Sequence, residues 1–511
     1  MAAMPIFGIR GSGGISVIKL EDDAVVKSQL FVPNTSSSQY CKVMKFSEDG
    51  CYFAYCNGVE TVVLRLSDHT RVVSVDLPRT QCIHFSPRNS IVCIYEQFAL
   101  RNNQTEPVPN LKLFDLGSGE LVAQFIQKKQ TEWHPQWTDD EHLACRLSGS
   151  EIHFYESNQF DRYVNKLTVG GVANVSLAPK PVLGSYHIAT YVPGVKTNPC
   201  FIRIYQCPSG MTPGNPNTPV ASKSFFKADR AEMEWDRNGA ALLAVSQADV
   251  DKSGSSYYGE QTLYLLSPRD GESIRMALGK DGPIYAYEFN PKFDEFCVVY
   301  GCMPAKATIY NYKGDPKFDF GTGPRNEVHY GPFGNLVILC GFGNLRGEIE
   351  CWTTKPPNRR VSRFIAEDTT RFQWSPNGEH IVCATTAPRL RVNNGYRIFH
   401  YTGSLVHQTV FPEKSELWEF QWQPTRDGKY TALPIQTQSK SDAASSAATS
   451  ILAGIAIGAP YNSTHPALYV VTAPDNTVTL MCLANTSARL MNQALAFDNQ
   501  KPGRATILLP T

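Results

Sequence analysis

Short runs of apolar residues, each broken by a polar turn, follow one another along most of the chain. An apolar strand ending in an aromatic residue, a turn of Pro, Asp, Asn or Gly, and a second apolar strand recur in the same order. Units of this kind predict antiparallel hairpins. The copies are anchored at Phe46, Phe85, Trp137, Trp235, Phe289, Tyr330, Trp374 and Trp422, with a degenerate copy at Leu177.

The spacing of these nine copies indicates the fold. They recur on average about every 47 residues, and propellers repeat at about 40 to 50 residues. Nine copies therefore predict nine blades of a WD40-like, all-β propeller. The aromatic residue should pack between neighbouring blades, because one four-stranded sheet cannot bury it alone. A β-sandwich of unrelated hairpins is the alternative, but sandwiches rarely keep one period over so long a chain.

The two ends of the repeat array are predicted to meet. The last copy, at Trp422, is followed by only a short strand, whereas the N-terminus offers three spare strands at 6–10, 15–20 and 25–32. We expect these N-terminal strands to complete the ninth blade, because such closure removes an exposed sheet edge. The propeller is predicted to span residues 1–430.

Beyond this region the composition shifts to Ser, Ala, Thr and Gln, which predicts a flexible C-terminal tail over residues 431–511. Residues 467–483 look strand-like but have no repeat context. The longest apolar run, 451–459, falls short of the roughly 20 residues of a membrane span, so no membrane association is expected.

Charge and cysteine usage limit how the chain could contact nucleic acid and which cellular compartment suits it. The 48 Lys+Arg nearly cancel 47 Asp+Glu, so any contact with nucleic acid must come from a local basic face. The 14 cysteines never form Cys-x-x-Cys, and no signal peptide is visible at the N-terminus. Scattered reduced thiols favour a cytoplasmic protein.

Motifs for catalysis and cofactor binding are missing from the sequence. It contains no phosphate-binding loop, dinucleotide fingerprint, metal-spaced histidine group or nucleophile elbow. We therefore expect no cofactor, no metal and no enzymatic activity. A catalytic set assembled from several blades stays open as an alternative.

A group of cationic residues lies in loops of the sixth to eighth predicted blades. Loops joining the second and third strands share a face with the connections between blades, so their charges add. The group consists of Lys306, Arg325, Arg346, Arg389 and Arg391, with almost no acid among them. Neighbouring Gly and Asn let backbone amides approach an anion, which favours phosphate contacts and predicts an RNA-binding or ribosome-binding surface. Alternatively, these arginines brace long loops through backbone carbonyls.

The same loops carry a resemblance. The strings at 303–307, 318–326, 341–347 and 387–396 resemble the eukaryotic translation initiation factor 2A family, and the likeness extends from about residue 40 to about 430. The propeller subunit of initiation factor 3 is a more distant relative. The family usually has a Lys/Arg-rich C-terminal extension, whereas residues 433–511 hold only four basic residues: Lys440, Arg489, Lys501 and Arg504.

The resemblance implies a nine-bladed propeller that associates with the small (40S) ribosomal subunit. It further implies GTP-independent delivery of initiator methionyl-tRNA, with mRNA and other initiation factors as further partners. The missing phosphate-binding loop agrees with independence from GTP. A propeller scaffold for protein–protein interactions without direct RNA binding is the alternative function, and salt dependence separates the two.

Overall fold

The computed structural model describes residues 5–20, 26–34, 40–99, 107–131, 133–195, 198–207, 218–226, 228–248, 259–426, 428–436, 468–472 and 478–482. The chain divides into two compact units, Met1–Ala447 and Ala448–Thr511. The helix and strand assignments within the described residues are all β-strand.

The first unit is a propeller of nine four-stranded antiparallel blades, as the repeat predicts. Blade 1 consists of β4 (Val43–Phe46), β5 (Tyr52–Cys56), β6 (Thr61–Arg65) and β7 (Arg71–Val75), and blade 2 of β8 (Thr80–Phe85), β9 (Ile91–Glu96), β10 (Leu111–Asp115) and β11 (Leu121–Phe125). Blade 3 consists of β12 (Gln136–Trp137), β13 (Leu143–Ser148), β14 (Glu151–Glu156) and β15 (Asn165–Thr168), and blade 4 of β16 (Asn174–Leu177), β17 (His187–Val192), β18 (Cys200–Gln206) and β19 (Ala221–Phe225). Blade 5 consists of β20 (Arg230–Trp235), β21 (Leu242–Ala248), β22 (Glu260–Leu266) and β23 (Ser273–Arg275), and blade 6 of β24 (Ile284–Phe289), β25 (Glu295–Tyr300), β26 (Ala305–Asn311) and β27 (Pro316–Gly323). Blade 7 consists of β28 (Glu327–Tyr330), β29 (Leu336–Gly341), β30 (Glu348–Thr353) and β31 (Arg360–Ile365), and blade 8 of β32 (Arg371–Trp374), β33 (His380–Thr385), β34 (Gly395–His400) and β35 (Leu405–Val410). Blade 9 consists of β36 (Leu417–Trp422), β1 (Ile6–Gly11), β2 (Gly14–Leu20) and β3 (Val26–Pro33).

Blade 9 confirms the predicted closure by the N-terminal strands. The strand β36 pairs antiparallel with β1, placing Phe7 opposite Trp422 and Ile9 opposite Phe420. The Arg10 guanidinium also forms an ion pair with Glu419, at 2.9 Å between Nε and Oε2. The two ends of the array are thus joined within one sheet, and β36 is not left as an exposed edge.

The apolar core lies between the blades. Each of nine buried clusters joins two consecutive blades, including the cluster that joins blade 9 to blade 1. Three of the repeated tryptophans also donate an indole hydrogen bond to the first strand of the preceding blade. The pairs are Trp235 to Ser176 O, Trp374 to His329 O and Trp422 to Gln373 O. The predicted packing of aromatic residues between blades is therefore confirmed.

The turn after the aromatic residue explains why glycine recurs there. Gly50 has a φ of 70° and Gly378 has a φ of 69°, in the left-handed region that favours glycine. A Cβ atom on Gly50 would lie 2.1 Å from the carbonyl oxygen of Pro424, so the side of the turn facing blade 9 has no room for a side chain.

The C-terminal residues are described in part. Ile435 packs against the cluster between blades 7 and 8, and the backbone N–H of Gln436 donates to Tyr401 Oη at 2.8 Å. Contacts with the propeller thus continue to residue 436, and the domain boundary near 430 stays a prediction. In the second unit, β37 (Leu468–Thr472) pairs antiparallel with β38 (Val478–Cys482), confirming the strand-like pattern. The rest of the predicted flexible tail beyond residue 436 lies outside the residues that the structure describes.

Candidate RNA-binding surface

The predicted cations belong to one side of blades 6 to 8. We define the loop face by the second-to-third-strand loops and the connections between blades at 301–304, 324–326, 342–347, 366–370, 386–394 and 411–416. Neighbouring segments hydrogen bond to one another: Ala366 N donates to Gly347 O at 2.8 Å, and Ala387 N donates to Leu417 O at 2.8 Å.

Asparagine side chains brace the second-to-third-strand loops of blades 7 and 8. Asn326 Nδ2 donates to Phe342 O at 3.0 Å, and its Oδ1 accepts from Phe342 N–H at 3.0 Å. Asn394 Nδ2 likewise donates to Thr385 O at 3.0 Å, and Oδ1 accepts from the backbone N–H of Leu417. The loops of blades 7 and 8 are therefore held in place by these side-chain amides.

Arg325 is the buried member of the five predicted cations. Its side chain is only 7% exposed, and Nη2 lies 3.1 Å from Glu350 Oε2. Burial lowers the pKa of Arg325, while the Glu350 carboxylate opposes this shift. Nη1 is also buried and has no hydrogen-bond partner. Arg325 therefore stabilises the base of the blade 7 loops and cannot reach a ligand on the surface without rearrangement.

Two further cations are paired with acids. Lys306 Nζ lies 2.9 Å from Asp319 Oδ2, and this hydrogen bond raises the pKa of Lys306. Arg391 Nε lies 2.8 Å from Glu416 Oε1. The predicted loops themselves hold almost no acid, but acids from neighbouring segments reach their cations: Asp319 lies in the strand β27, and Glu416 lies in the connection to blade 9.

Arg346 and Arg389 are the exposed and unpaired members of the predicted group within the described residues, and their role in RNA binding stays a prediction. Both side chains are exposed, and within the described part of the chain neither forms an ion pair or a hydrogen bond. Arg389 Nη2 comes within 3.5 Å of the position that a Cβ atom on Gly343 would occupy, so the blade 8 loop reaches the blade 7 loop. We call Arg346 and Arg389 together the cationic centre of the loop face.

Sequence reasoning missed two features near this centre. Arg371 begins β32 directly after the 366–370 connection, is exposed, and has no ion pair among the described residues. Glu327, His329 and Cys340 bring three potential metal ligands together in blade 7. The spacing Glu327-Val328-His329 was the available signal for the second feature, because residues two apart share one side of a strand.

Comparison with known proteins identifies the family. The family model described as "Eukaryotic translation initiation factor eIF2A" matches residues 223–420. "Eukaryotic translation initiation factor 2A" of Caenorhabditis elegans is 40% identical over 444 residues, which cover 86% of this chain and 75% of that protein. The chain belongs to the eukaryotic translation initiation factor 2A family.

Two more comparisons place this initiation factor 2A family member among its relatives. A solved structure described as "Crystal structure of the eukaryotic initiation factor" has a TM-score of 0.73 and 27% identity, covering 84% of this chain and 100% of that chain. A subunit of eukaryotic translation initiation factor 3 from Dictyostelium discoideum is 21% identical over 417 residues, 79% of this chain and 58% of that protein. The predicted family and its more distant relative are both confirmed. Across the described ranges, no helix has the length and apolarity needed to cross a membrane.

Proposed function

We propose that this initiation factor 2A family member acts in the cytoplasm by associating with the small (40S) ribosomal subunit and promoting GTP-independent delivery of initiator methionyl-tRNA. It does so as a binding protein, without enzymatic activity or a cofactor. The loop face lies against ribosomal RNA or tRNA, and mRNA and other initiation factors are further partners.

The observation that carries this proposal is the pair of unpaired guanidinium groups of Arg346 and Arg389 on loops braced by asparagine. Arginine donates to phosphate oxygens in a fixed fork, and loops held in place lose little conformational freedom on binding. Lys306 and Arg391 contribute if phosphate displaces their acidic partners. Arg325 supports the surface from below by pairing with Glu350.

Delivery of initiator tRNA is tested by cosedimentation. Purified chain, small ribosomal subunits and labelled initiator methionyl-tRNA are centrifuged with GTP, with a non-hydrolysable GTP analogue, or without nucleotide. We expect tRNA in the subunit pellet to increase with added chain, equally under the three conditions. If the chain pellets with the subunits but the amount of tRNA in the pellet does not rise, only the ribosome association is supported and the proposed tRNA delivery is wrong. If tRNA is recruited only when GTP is present, the proposed GTP independence is wrong.

A protein-binding scaffold is the second candidate, and one observation favours it. Val392, on the same loop as Arg389 and Arg391, is 66% exposed, and Met303 on the blade 6 loop is also exposed. Exposed apolar side chains beside arginines suit capture of a partner peptide. Such binding would persist at salt concentrations that release a complex held by phosphate contacts.

A further inference from the structure

Three side chains of different chemistry meet in blade 7, beside the loop face and independent of the proposed RNA contact. Glu327 and His329 alternate along β28 and therefore project to the same side of the sheet. Cys340 lies on β29 directly opposite Glu327 in the antiparallel register. The strand pairing alone thus brings a carboxylate, an imidazole and a thiol together.

Their donor atoms are close enough to share one ion. All three atoms lie within 4.8 Å of one another, and His329 Nε2 is 3.0 Å from Glu327 Oε2. The Cys340 side chain is fully buried, whereas those of His329 and Glu327 are 30% and 38% exposed. The sulfur atom therefore lies at the buried end of the cluster, and the imidazole and the carboxylate lie at the end that reaches solvent.

Neighbouring groups hold the imidazole in place. The His329 ring stacks on Phe372, with centroids 4.6 Å apart and an interplanar angle of 24°. The carbonyl oxygen of His329 accepts the indole hydrogen bond of Trp374 at 3.1 Å. The stacking restricts the orientation of the imidazole ring, and the hydrogen bond from Trp374 holds the backbone of His329.

The carboxylate of Glu327 lies directly across the strand pair from Cys340, so it can offset part of the charge of a bound divalent ion. Binding releases the thiol proton of Cys340 to solvent as the metal–sulfur bond forms.

We propose that Glu327, His329 and Cys340 bind a divalent cation of the zinc class through one oxygen, one nitrogen and one sulfur atom. Zinc takes this ligand set at about 2.3 Å from sulfur and about 2.0 to 2.2 Å from nitrogen and oxygen. Three protein ligands leave a fourth position open to solvent. The ion ties β28 to β29 directly after Asn326, at the base of the blade 7 loop.

Cobalt(II) titration tests the site, because a thiolate bound to cobalt gives a charge-transfer absorption band in the near ultraviolet. The parent is the full chain with the exposed Cys51 and Cys302 changed to Ser. We expect this parent to give the band with one equivalent of cobalt and to lose it when zinc is added. The band should disappear in Cys340→Ser and persist in Cys351→Ser, which removes a buried thiol from the adjacent strand β30.

The partly exposed ligands provide variants that do not disturb the core. His329→Gln and Glu327→Gln should each weaken cobalt affinity by about tenfold or more. Zinc should also raise the melting temperature of the parent but not of His329→Gln, because a ligand that binds only the folded state stabilises it. Absence of the band in the parent, its persistence in Cys340→Ser, or unchanged affinity in both Gln variants would overturn the site.

Discussion

Arg325 and Arg346 both lie in segments flanking the first two strands of blade 7, yet only the second has its guanidinium in solvent. Arg325 is enclosed and paired with Glu350, whereas Arg346 has no such partner in the described structure. A buried cation matters for stability, because its removal leaves a buried acid less well compensated. An exposed cation matters for binding, because its charge is available to an external anion.

The first prediction compares the two arginines by urea unfolding. Arg325→Ala should lower the free energy of unfolding by about 3 kcal/mol, since it leaves Glu350 with Arg360 as its remaining ion-pair partner. Arg346→Ala should stay within about 0.5 kcal/mol of the parent. Equal losses in the two variants would show that Arg346 also braces its loop.

The second prediction concerns a carboxyl group in blade 6. Burial raises the pKa of Glu288 to about 8, while the hydrogen bond from Tyr330 N–H opposes this shift. The folded-state pKa lies above the unfolded value of about 4.3, so the stabilisation is complete at low pH and is lost as the pH rises through about 8. Between about pH 5 and 8, the free energy of unfolding of the unchanged chain should therefore fall by about 2 to 4 kcal/mol relative to that of Glu288→Gln. Parallel pH profiles for parent and variant would contradict this, and the exposed Glu120→Gln provides the control.

Among the elements, β1 has the largest structural consequence, because it joins β36 to the other strands of blade 9. Phe7 on β1 is fully buried, and its ring centroid lies 4.8 Å from that of Phe420 and 5.5 Å from that of Trp422. The closure of the ring thus depends on aromatic packing as well as on strand pairing.

The third prediction tests this closure by thermal unfolding. Phe7→Ala should cost about 3 to 5 kcal/mol, because it leaves a cavity among aromatic rings of blades 8 and 9. Phe31→Ala on β3 is the matched control, since Phe31 is 59% exposed and should change stability little. A small loss at Phe7 would mean that the ring does not depend on the N-terminal strands.

The sequence predicted these elements well because strand period and turn chemistry are local properties. The copies at Trp235, Trp374 and Trp422 became inter-blade anchors as expected. The charge partners were not predictable, because they depend on register. In blade 6 the register of β26 and β27 shifts between Lys306 and Thr308. Such an irregularity decides which side chains meet across the strands, and here Lys306 forms an ion pair with Asp319 on β27.

At the scale of the whole molecule, the near balance of 48 Lys+Arg and 47 Asp+Glu means that net charge does not attract RNA. The proposed binding to a ribosomal subunit must then depend on where unpaired cations lie. Arg346 and Arg389 lie on the loop face, whereas Arg162 and Arg269 are exposed in loops joining the third and fourth strands of blades 3 and 5, on the opposite face.

The most direct test is therefore the salt dependence of small-subunit binding in two charge-matched double variants. Arg346→Glu/Arg389→Glu should weaken binding and lower the slope of log affinity against log salt by about two, one for each lost phosphate contact. Arg162→Glu/Arg269→Glu makes the same change in formal charge and should keep the slope of the parent. An unchanged slope in the loop-face variant, or equal loss in both variants, would contradict the assignment of this face to RNA.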